Sequence, residues 1–388
     1  MTLLVRDEAD IVEANLDYHL SRGVDFVIAT DHASRDGTAD LLRRYEQDGV
    51  LQLLRAEGEA HDQVTHVNAM ARAAAVDHGA DWVINNDADE FWWPIVGGLK
   101  DLLSAVPEHF GALEVPRSNF LPRPDGRGSL PERMVVRETA STNRLGEALE
   151  PKIVHRGTPD ISMAPGNHAI AGPDLVVAPD LGLVEVLHLP VRTFEQFERK
   201  VLNVGTGYEL LEGRQQDVGR DQLALLELQR EGGLRGYFDD LVLDDAALAV
   251  ELTRGRLVID ARLRDYMAGI GSGDTKGPAA DALVAARVVS RALGLAAELD
   301  SLRSELERRS AELAEARAGL GEVSVRLEDA LAERARRDEE LDGAAADRER
   351  TERQLAATEA TLRALQSSRL MRLSRPLRKL YYRLRQSR

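Results

Sequence analysis

Short apolar runs alternate with amphipathic segments along positions 1–268 of the chain. The runs that predict strands are TLLV, DFVIAT, VLQLL and DWVIN. Between them lie EADIVEANLDYHLSRG, DGTADLLRRYEQDG and HVNAMARAAAVDHG, whose apolar residues recur at spacings of three and four and which end at or near glycine. This β-α-β-α order predicts an α/β domain with a largely parallel sheet. We therefore expect ligands at the carboxyl ends of its strands.

A seven-residue repeat of leucine dominates the C-terminal third of the chain. It comprises Leu299, Leu306, Leu313, Leu320, Leu327, Leu341, Leu355 and Leu362, and a second apolar set three residues further on comprises Leu302, Ala316, Val323, Ala330, Ala344 and Leu365. This spacing predicts a long α-helical coiled coil within 279–366, although arginines at 309, 334, 337 and 348 interrupt the seam. A single solvated helix is the alternative. We predict a homo-oligomer formed through this seam, joined to the domain of 1–268 by the Gly-rich linker 269–278.

Segment 367–388 is basic and amphipathic inside an acidic protein. It carries eight basic residues and no acidic one, with leucine, methionine and tyrosine interleaved among them. Such a segment suits the surface of an anionic membrane, where each Lys or Arg contributes about 1 kcal/mol. A solvated tail and a partner-binding helix are the alternatives. If the membrane interpretation holds, we expect the protein on the inner face of the cytoplasmic membrane.

Charge and composition exclude several classes of partner and site. The formal net charge of −16 argues against electrostatic binding of nucleic acid. The absence of cysteine excludes disulfides and thiolate metal sites. No apolar run approaches the roughly 18–20 residues of a membrane span, and the opening MTLLVRDEAD does not resemble a signal peptide. We therefore expect a cytoplasmic protein.

Three carboxylates cluster where the strand DWVIN ends. Asp87, Asp89 and Glu90 occupy three of four consecutive positions, followed at once by aromatic residues. Side chains alternate along an extended chain, so Asp87 and Asp89 face the same side. Two such oxygen ligands suit Mg²⁺ or Mn²⁺, and clustered carboxylates repel one another unless a cation is present. A polar loop without a metal is the alternative.

Four sequence elements resemble family 2 glycosyltransferases, in the branch with an Asp-x-Asp-Glu-Phe motif. They are LLVRDEADIVEANLDYHLSRGVDFVIATDHASRDGTADLL, WVINNDADEFWW, APGNH and VLHLPVRTFEQFERKVLNVG, and the resemblance runs from Thr2 to roughly Asp265. It implies the GT-A fold, a Rossmann-like domain that binds a nucleotide-sugar donor with a divalent metal. It also implies inverting transfer of the sugar to an acceptor.

The resemblance assigns roles to individual positions. Those implied to contact the nucleotide donor are Arg6, Asp7, Glu8, Asp31 and Asp87, and those implied to bind the metal are Asp87 and Asp89. A neutral imidazole is a competent further ligand for Mn²⁺, so the histidines of the last two elements, His168 and His188, are metal candidates. Candidates to neutralise the leaving diphosphate are Lys152, Arg192 and Lys200.

A carboxylate base would remove the acceptor proton, and the spacing leaves Glu90, Asp160 and Glu185 all open for that role.

The predicted function is a metal-dependent glycosyltransferase acting on a glycan or lipid-linked acceptor hydroxyl in cell-envelope polysaccharide synthesis. Two alternatives stay open. One is a nucleotidyltransferase or other metal-dependent phosphoryl enzyme, which also needs paired carboxylates on a parallel sheet. The other is a non-catalytic coiled-coil scaffold.

Overall fold

The structure is a computed structural model, and it describes all residues except 58–61, 124–129, 144–145, 212–218, 273–281, 368–377, 380–381 and 383–388. The contacts divide the chain into two compact units, Met1–Leu299 and Asp300–Arg388. The first unit holds the mixed α/β part of the chain, and the described residues of the second are helical.

The N-terminal half of the first unit follows the predicted alternation of strands and helices. Its elements are β1 (Thr2–Val5), α1 (Val12–Ser21), β2 (Val27–His32), α2 (Thr38–Gln47), β3 (Leu51–Ala56), α3 (Gln63–Val76), β4 (Trp82–Asn86), β5 (Glu90–Pro94), α4 (Leu99–Ser104), β6 (Ala112–Val115) and β7 (Arg117–Asn119). The four predicted strands correspond to β1–β4, and the three predicted helices correspond to α1–α3.

The elements that follow are shorter until the last helix. They are α5 (Leu130–Arg133), β8 (Val136–Glu138), β9 (Lys152–Arg156), β10 (Ser162–Met163), β11 (Ile170–Ala171), β12 (Val177–Ala178), β13 (Val184–His188), α6 (Phe194–Leu210), α7 (Arg220–Arg230), α8 (Leu234–Leu241), α9 (Asp245–Thr253), β14 (Leu257–Ile259), α10 (Arg262–Ser272) and α11 (Ala282–Ser367). A 3₁₀ turn, Pro165–Asn167, precedes β11.

A seven-stranded sheet in the order β12-β6-β9-β4-β1-β2-β3 forms the centre of the first unit. The strands β4, β1, β2 and β3 are parallel, as predicted, but β9 runs antiparallel to both of its neighbours, β4 and β6. The sheet is therefore rich in parallel pairs without being wholly parallel. A second sheet, β5-β13-β7, begins directly after β4 and places β13 beside the carboxylate cluster.

The hydrophobic core lies on both faces of the main sheet. Val67 and Met70 of α3 pack on one face against Ile28 and Val83. The other face belongs to the larger core, which includes Leu16 of α1 and the buried aromatic residues of β5. Both faces are covered because the strands are apolar in nearly every position, which is typical of a parallel-rich sheet in an α/β protein.

Helix α11 is the long C-terminal helix that the heptad pattern predicted. Its first turns belong to the first unit, because Ala285 and Val289 are buried in that unit's core, so the compact unit runs beyond position 268. Within the predicted linker 269–278, residues 269–272 complete α10, and the others lie outside the described residues. The leucines of the first heptad set are 53–69% exposed in the single chain.

Most of the predicted basic tail, 367–388, also lies outside the described residues. Among the helices that the structure describes, none combines the length and the apolar character needed to cross a membrane.

Candidate active site

The carboxylate cluster forms a tight turn between the parallel sheet and the second sheet. β4 ends at Asn86 and β5 begins at Glu90, and the turn closes with a hydrogen bond from the Glu90 N–H to the Asp87 carbonyl oxygen at 3.1 Å. The Leu189 N–H donates to the Asp89 carbonyl oxygen at 2.8 Å. These backbone bonds hold Asp87 and Asp89 at the carboxyl end of β4, as the sequence predicted.

Lys152 neutralises the first aspartate of the turn. It begins β9, the antiparallel neighbour of β4, and its side chain is almost completely buried. Its Nζ lies 2.7 Å from Asp87 Oδ2, 2.9 Å from Glu90 Oε1 and 2.8 Å from the Gly166 carbonyl oxygen. Burial alone would raise the pKa of Asp87, but the Lys152 ammonium outweighs it and holds that pKa below its usual value.

The turn around Gly166 brings its carbonyl oxygen to Lys152. Gly166 has φ = 72°, a left-handed conformation, and a Cβ atom at this position would lie 2.5 Å from the imidazole ring of His168. Only glycine fits both the backbone conformation and the close contact. The PGNH segment is therefore shaped to cover Lys152 and to place His168 beside it.

Three basic groups surround the second aspartate. The Lys200 ammonium contacts Asp89 Oδ2 directly, and Arg192 Nη1 lies 3.8 Å from the same oxygen. The Nε2 atom of His188 lies 3.7 Å from it. Burial opposes ionisation of Asp89, but the Lys200 ammonium foremost, and the Arg192 guanidinium with it, hold its pKa well below the usual value. Asp89 is therefore a carboxylate at neutral pH although it is nearly inaccessible.

Both histidines present an unprotonated nitrogen. His188 Nδ1 lies 2.8 Å from Asn119 Oδ1, and His168 Nδ1 lies 2.9 Å from the Pro151 carbonyl oxygen. Because these oxygens only accept, each Nδ1 carries the hydrogen and each Nε2 keeps its lone pair. Burial lowers the pKa of His188 to about 4, and burial together with the cations Lys152 and Arg117 lowers that of His168 to about 3. Of the two, only His188 has its Nε2 within 4 Å of an aspartate oxygen of the turn.

Arg192 is held by carboxylates of the loop after β1. Its Nε and Nη2 donate to the two carboxylate oxygens of Asp10 at 2.8 and 3.0 Å, and Nη2 also contacts Glu8. The guanidinium is almost fully buried. Arg192 therefore connects the loop after β1 to the approach to α6 and stands behind Asp89.

The other residues predicted to bind the nucleotide have different surroundings. Asp7 (φ = 55°) accepts hydrogen bonds from the Arg35 N–H at 2.6 Å and from Asn203 Nδ2 at 2.7 Å, so it ties three segments together. Asp31 is buried and accepts from the Ser34 N–H at 3.2 Å. The buried Nε of Arg6 has no hydrogen-bond partner among the described residues, which leaves it a donor for a ligand.

These side chains enclose a cleft of about 360 Å³, here called the first cleft. Its lining includes the cations Arg6, Arg117, Lys152 and Lys200, the carboxylates Glu8, Asp87 and Asp89, and the imidazoles of His168 and His188. Among the described lining residues, four cations therefore face three carboxylates, although the chain as a whole is strongly acidic. The charges of the lining, more than the protein's net charge, decide which ligands such a site attracts.

The described residues include no group of three or more His, Cys, Asp or Glu side chains that could hold a metal ion. Asp89 Oδ2 and His188 Nε2 are nevertheless 3.7 Å apart and face each other. A hard divalent ion commonly completes its shell with water and substrate phosphate oxygens. Asp89 and His188 could therefore supply at most two ligands, and water or ligand oxygens would have to complete the shell of such an ion.

The three candidates for the catalytic base do not line the first cleft. Glu90 is fully buried beneath Lys152, and burial raises its pKa to about 7. Glu185 is paired with Arg262 at 2.8 Å and Arg137 at 3.3 Å. Asp160 lies in an exposed loop.

Arg117 is a site residue that the sequence did not reveal. It begins β7, lines the first cleft, and its Nη1 lies 3.9 Å from Glu90 Oε1. Its position depends on the pairing of β7 with β13, which brings Arg117 opposite Val186. No local motif around Arg117 indicates this pairing, so only the folded chain shows it.

No family model and no curated protein matches the chain. Similar solved structures include residues 1–349 of TarS from S. aureus in complex with UDP, at 12% identity and a TM-score of 0.34, over 70% of this chain and 90% of that one. The same TarS fragment in complex with UDP-GlcNAc gives 12% identity and a TM-score of 0.33, over 74% and 89%. At these values the similarity assigns neither a family nor a function to this chain.

Proposed function

We propose that this chain is a glycosyltransferase of the family 2 type, with a GT-A domain that moves a sugar from a nucleotide-sugar donor to an acceptor hydroxyl. One observation carries the proposal. All four sequence elements of the resemblance contribute side chains to the first cleft, although they are widely separated along the chain. Examples are Arg6 from the first element, Asp87 from the second, His168 from the third and Lys200 from the fourth.

The charges of the cleft suit departure of a nucleoside diphosphate. As the bond from the sugar to the diphosphate breaks, negative charge grows on the leaving oxygen, and preorganised cations stabilise it. Lys152 and Lys200 line the cleft, and both are held in place by the aspartates of the turn. Arg6 offers its unpartnered Nε to the nucleotide.

Asp89 and His188 would each supply one ligand to a divalent ion in this scheme, and water and diphosphate oxygens would complete its shell. When bound, the ion would supply further positive charge at the diphosphate. Asn119 fixes the tautomer of His188 that ligation requires, through its contact with Nδ1. Glu90 acts as a positioning residue, because its carboxylate lies 2.9 Å from Lys152 and helps to hold that ammonium against Asp87.

Helix α11 would bring two or more catalytic units together. A lone helix leaves its stripe of leucines in water, and the same stripe on a second copy is a complementary partner. Basic tails from several copies would add their affinities for an anionic membrane, where lipid-linked glycan acceptors are found. Flotation with anionic vesicles tests whether the basic tail binds such a membrane. The full chain should float, and a chain ending at Gln366 should stay in the dense fraction.

A screen of sugar nucleotides by thermal shift in the presence of Mn²⁺ tests the main proposal. A donor at a hundredfold excess over its Kd stabilises the native state by about 2.7 kcal/mol. The donor found in this way should be turned over to a free nucleoside diphosphate, and Asp89→Asn should abolish that turnover. Release of pyrophosphate would instead indicate a nucleotidyltransferase. Binding of no sugar nucleotide at all would favour a scaffold and refute the proposal.

A further inference from the structure

Four buried polar side chains, here called the polar network, lie where α1 packs against β5 and the carboxylate turn. Asn15 and His19 are four positions apart on α1, which places them on one face of that helix. Asn86 ends β4, and Trp92 lies in β5. Each of the four is at most 2% exposed. Polar groups are costly to bury unless they are hydrogen-bonded, so the role of these side chains follows from what they bind.

Asn15 is the centre of the polar network. Its Nδ2 donates to the Ala88 carbonyl oxygen at 3.0 Å and to the Glu90 carbonyl oxygen at 2.7 Å, which uses both of its hydrogens. Its Oδ1 accepts from Asn86 Nδ2 at 3.0 Å. Because carbonyl oxygens only accept, turning the amide over would set oxygen against oxygen at both bonds. Asn15 therefore supplies the carboxylate turn with two donors from α1.

His19 and Trp92 hold the Asn15 amide in this orientation. His19 Nδ1 lies 2.8 Å from the Asn15 carbonyl oxygen and 3.1 Å from Asn15 Oδ1. Burial lowers the pKa of His19 to about 3, so its Nε2 keeps a lone pair, which accepts from the Trp92 N–H at 3.3 Å. The indole Nε1 of Trp92 donates to Asn86 Oδ1 at 2.9 Å and closes the ring of contacts. A buried network that is satisfied in this way is rigid.

The contacts of the turn fix the backbone on both sides of Asp89. The Ala88 carbonyl belongs to the peptide group before Asp89, and Asn15 holds it. The Asp89 carbonyl belongs to the peptide group after it, and the Leu189 N–H holds it at 2.8 Å. Since peptide groups are planar, fixing both of them fixes φ and ψ of Asp89 and the direction of its side chain. That direction brings the carboxylate to the Lys200 ammonium.

We propose that Asn15 is a positioning residue of the candidate active site, which acts through Asp89. This inference rests on the proposed function, because a positioning residue needs a reaction to serve. Asn15 is not among the described residues that line the first cleft. Without its two donors, the buried carbonyls of Ala88 and Glu90 would lose partners, and the turn would have to move to find others. Asp89 would then leave the place in which it contacts Lys200.

Amine labelling detects this displacement without turnover and without added metal. The chain has five lysines, so mass spectrometry resolves each of them after reductive methylation. The reaction rate of Lys200 is divided by that of Lys100, a surface lysine paired with Asp25. The variants Asn15→Leu and Asn15→Asp keep the approximate volume of the side chain and share the loss of the Nδ2 donors. Either variant suffices if it melts cooperatively.

The labelling ratio should rise about fivefold or more in the Asn15 variants, because an ammonium released from a carboxylate is more readily deprotonated. Asp89→Asn should raise it too, and the double variant Asn15→Leu/Asp89→Asn should raise it no further, since both changes act through one carboxylate. Leu42→Ala, a cavity in the same core on α2, is the matched control and should leave the ratio within about twofold of wild type. An unchanged ratio in a folded Asn15 variant, or in Asp89→Asn, would overturn the proposal.

Turnover and amide exchange complete the test. With the donor found by thermal shift, the Asn15 variants should lose at least about tenfold in kcat. A wild-type kcat in a variant whose labelling ratio has risen would overturn this inference alone. A wild type that turns over no sugar nucleotide would overturn the proposed function, while the labelling ratio would still decide whether Asn15 places Asp89. If neither variant folds, the side-chain NH₂ of Asn15 in the wild type should exchange with D₂O far more slowly than a free asparagine amide, and equal rates would refute the proposal.

Discussion

Lys200→Ala should change the affinities for metal and for nucleotide in opposite directions. The Lys200 ammonium contacts Asp89, the same carboxylate that would ligate the ion. Two unit charges of like sign 4 Å apart repel by roughly 4 kcal/mol at an effective dielectric constant of 20. Lys200 is 27% exposed and sits on a flexible four-carbon stem, so it relieves most of this repulsion by moving. We therefore expect Mn²⁺ to bind about tenfold more tightly to the variant, which corresponds to about 1.4 kcal/mol.

The same substitution should weaken binding of the nucleoside diphosphate. A lysine displaced from Asp89 is free to donate to a phosphate oxygen, and a hydrogen bond between charged partners contributes about 1.5–3 kcal/mol. Its loss corresponds to a Kd that is roughly tenfold to a hundredfold higher. A residue that served only to stabilise the fold would instead alter both affinities in the same direction or neither.

Electron paramagnetic resonance of free Mn²⁺ measures metal binding without nucleotide, and calorimetry measures nucleotide binding in the presence of Mn²⁺. Arg199→Ala is the matched control. Arg199 precedes Lys200 on α6, is also partly exposed, and pairs with Asp36 at 3.8 Å instead of with Asp89. Arg199→Ala should leave the Kd for Mn²⁺ and the Kd for the nucleotide within about twofold of wild type. Weaker Mn²⁺ binding by Lys200→Ala, or unchanged nucleotide affinity, would refute the assigned role of Lys200.

Three further predictions concern the metal ligands and the helix. Asp89→Asn should lower turnover by at least a thousandfold while the protein still melts cooperatively, and wild-type kinetics under a Mn²⁺ titration would contradict the metal assignment. His188→Ala should raise the Kd for Mn²⁺ more than His168→Ala does, because of the two only His188 has its Nε2 within 4 Å of an Asp89 oxygen, and the reverse order would show that the ligand is misassigned. Changing both Leu320 and Leu327 to Glu should convert the oligomer into a monomer, as measured by light scattering. A wild-type chain that is already monomeric would disprove the coiled coil.

The first four strands and first three helices followed from the sequence because their signals are local. An apolar run such as DWVIN predicts a buried strand whichever strands lie beside it. A helix is likewise recognised from the periodicity of its own apolar face. The Asp-x-Asp turn was predictable for the same reason, since Asp87 and Asp89 directly follow a buried strand. The antiparallel insertion of β9 was not predictable, because nothing in its own residues specifies a neighbour.

The sequence by itself determined the α/β alternation, the place of the carboxylates, the long heptad helix and the candidate residues of four motifs. Only the tertiary structure decided which of those residues meet. It brought Lys152 to Asp87 through the pairing of β9 with β4, and it placed His188 beside Asp89 through the pairing of β13 with β5. It also left Glu185 paired with Arg262, away from the first cleft. The physical reason is that strand pairing and burial are long-range properties, and they set both the distances between charges and the pKa values that local sequence cannot specify.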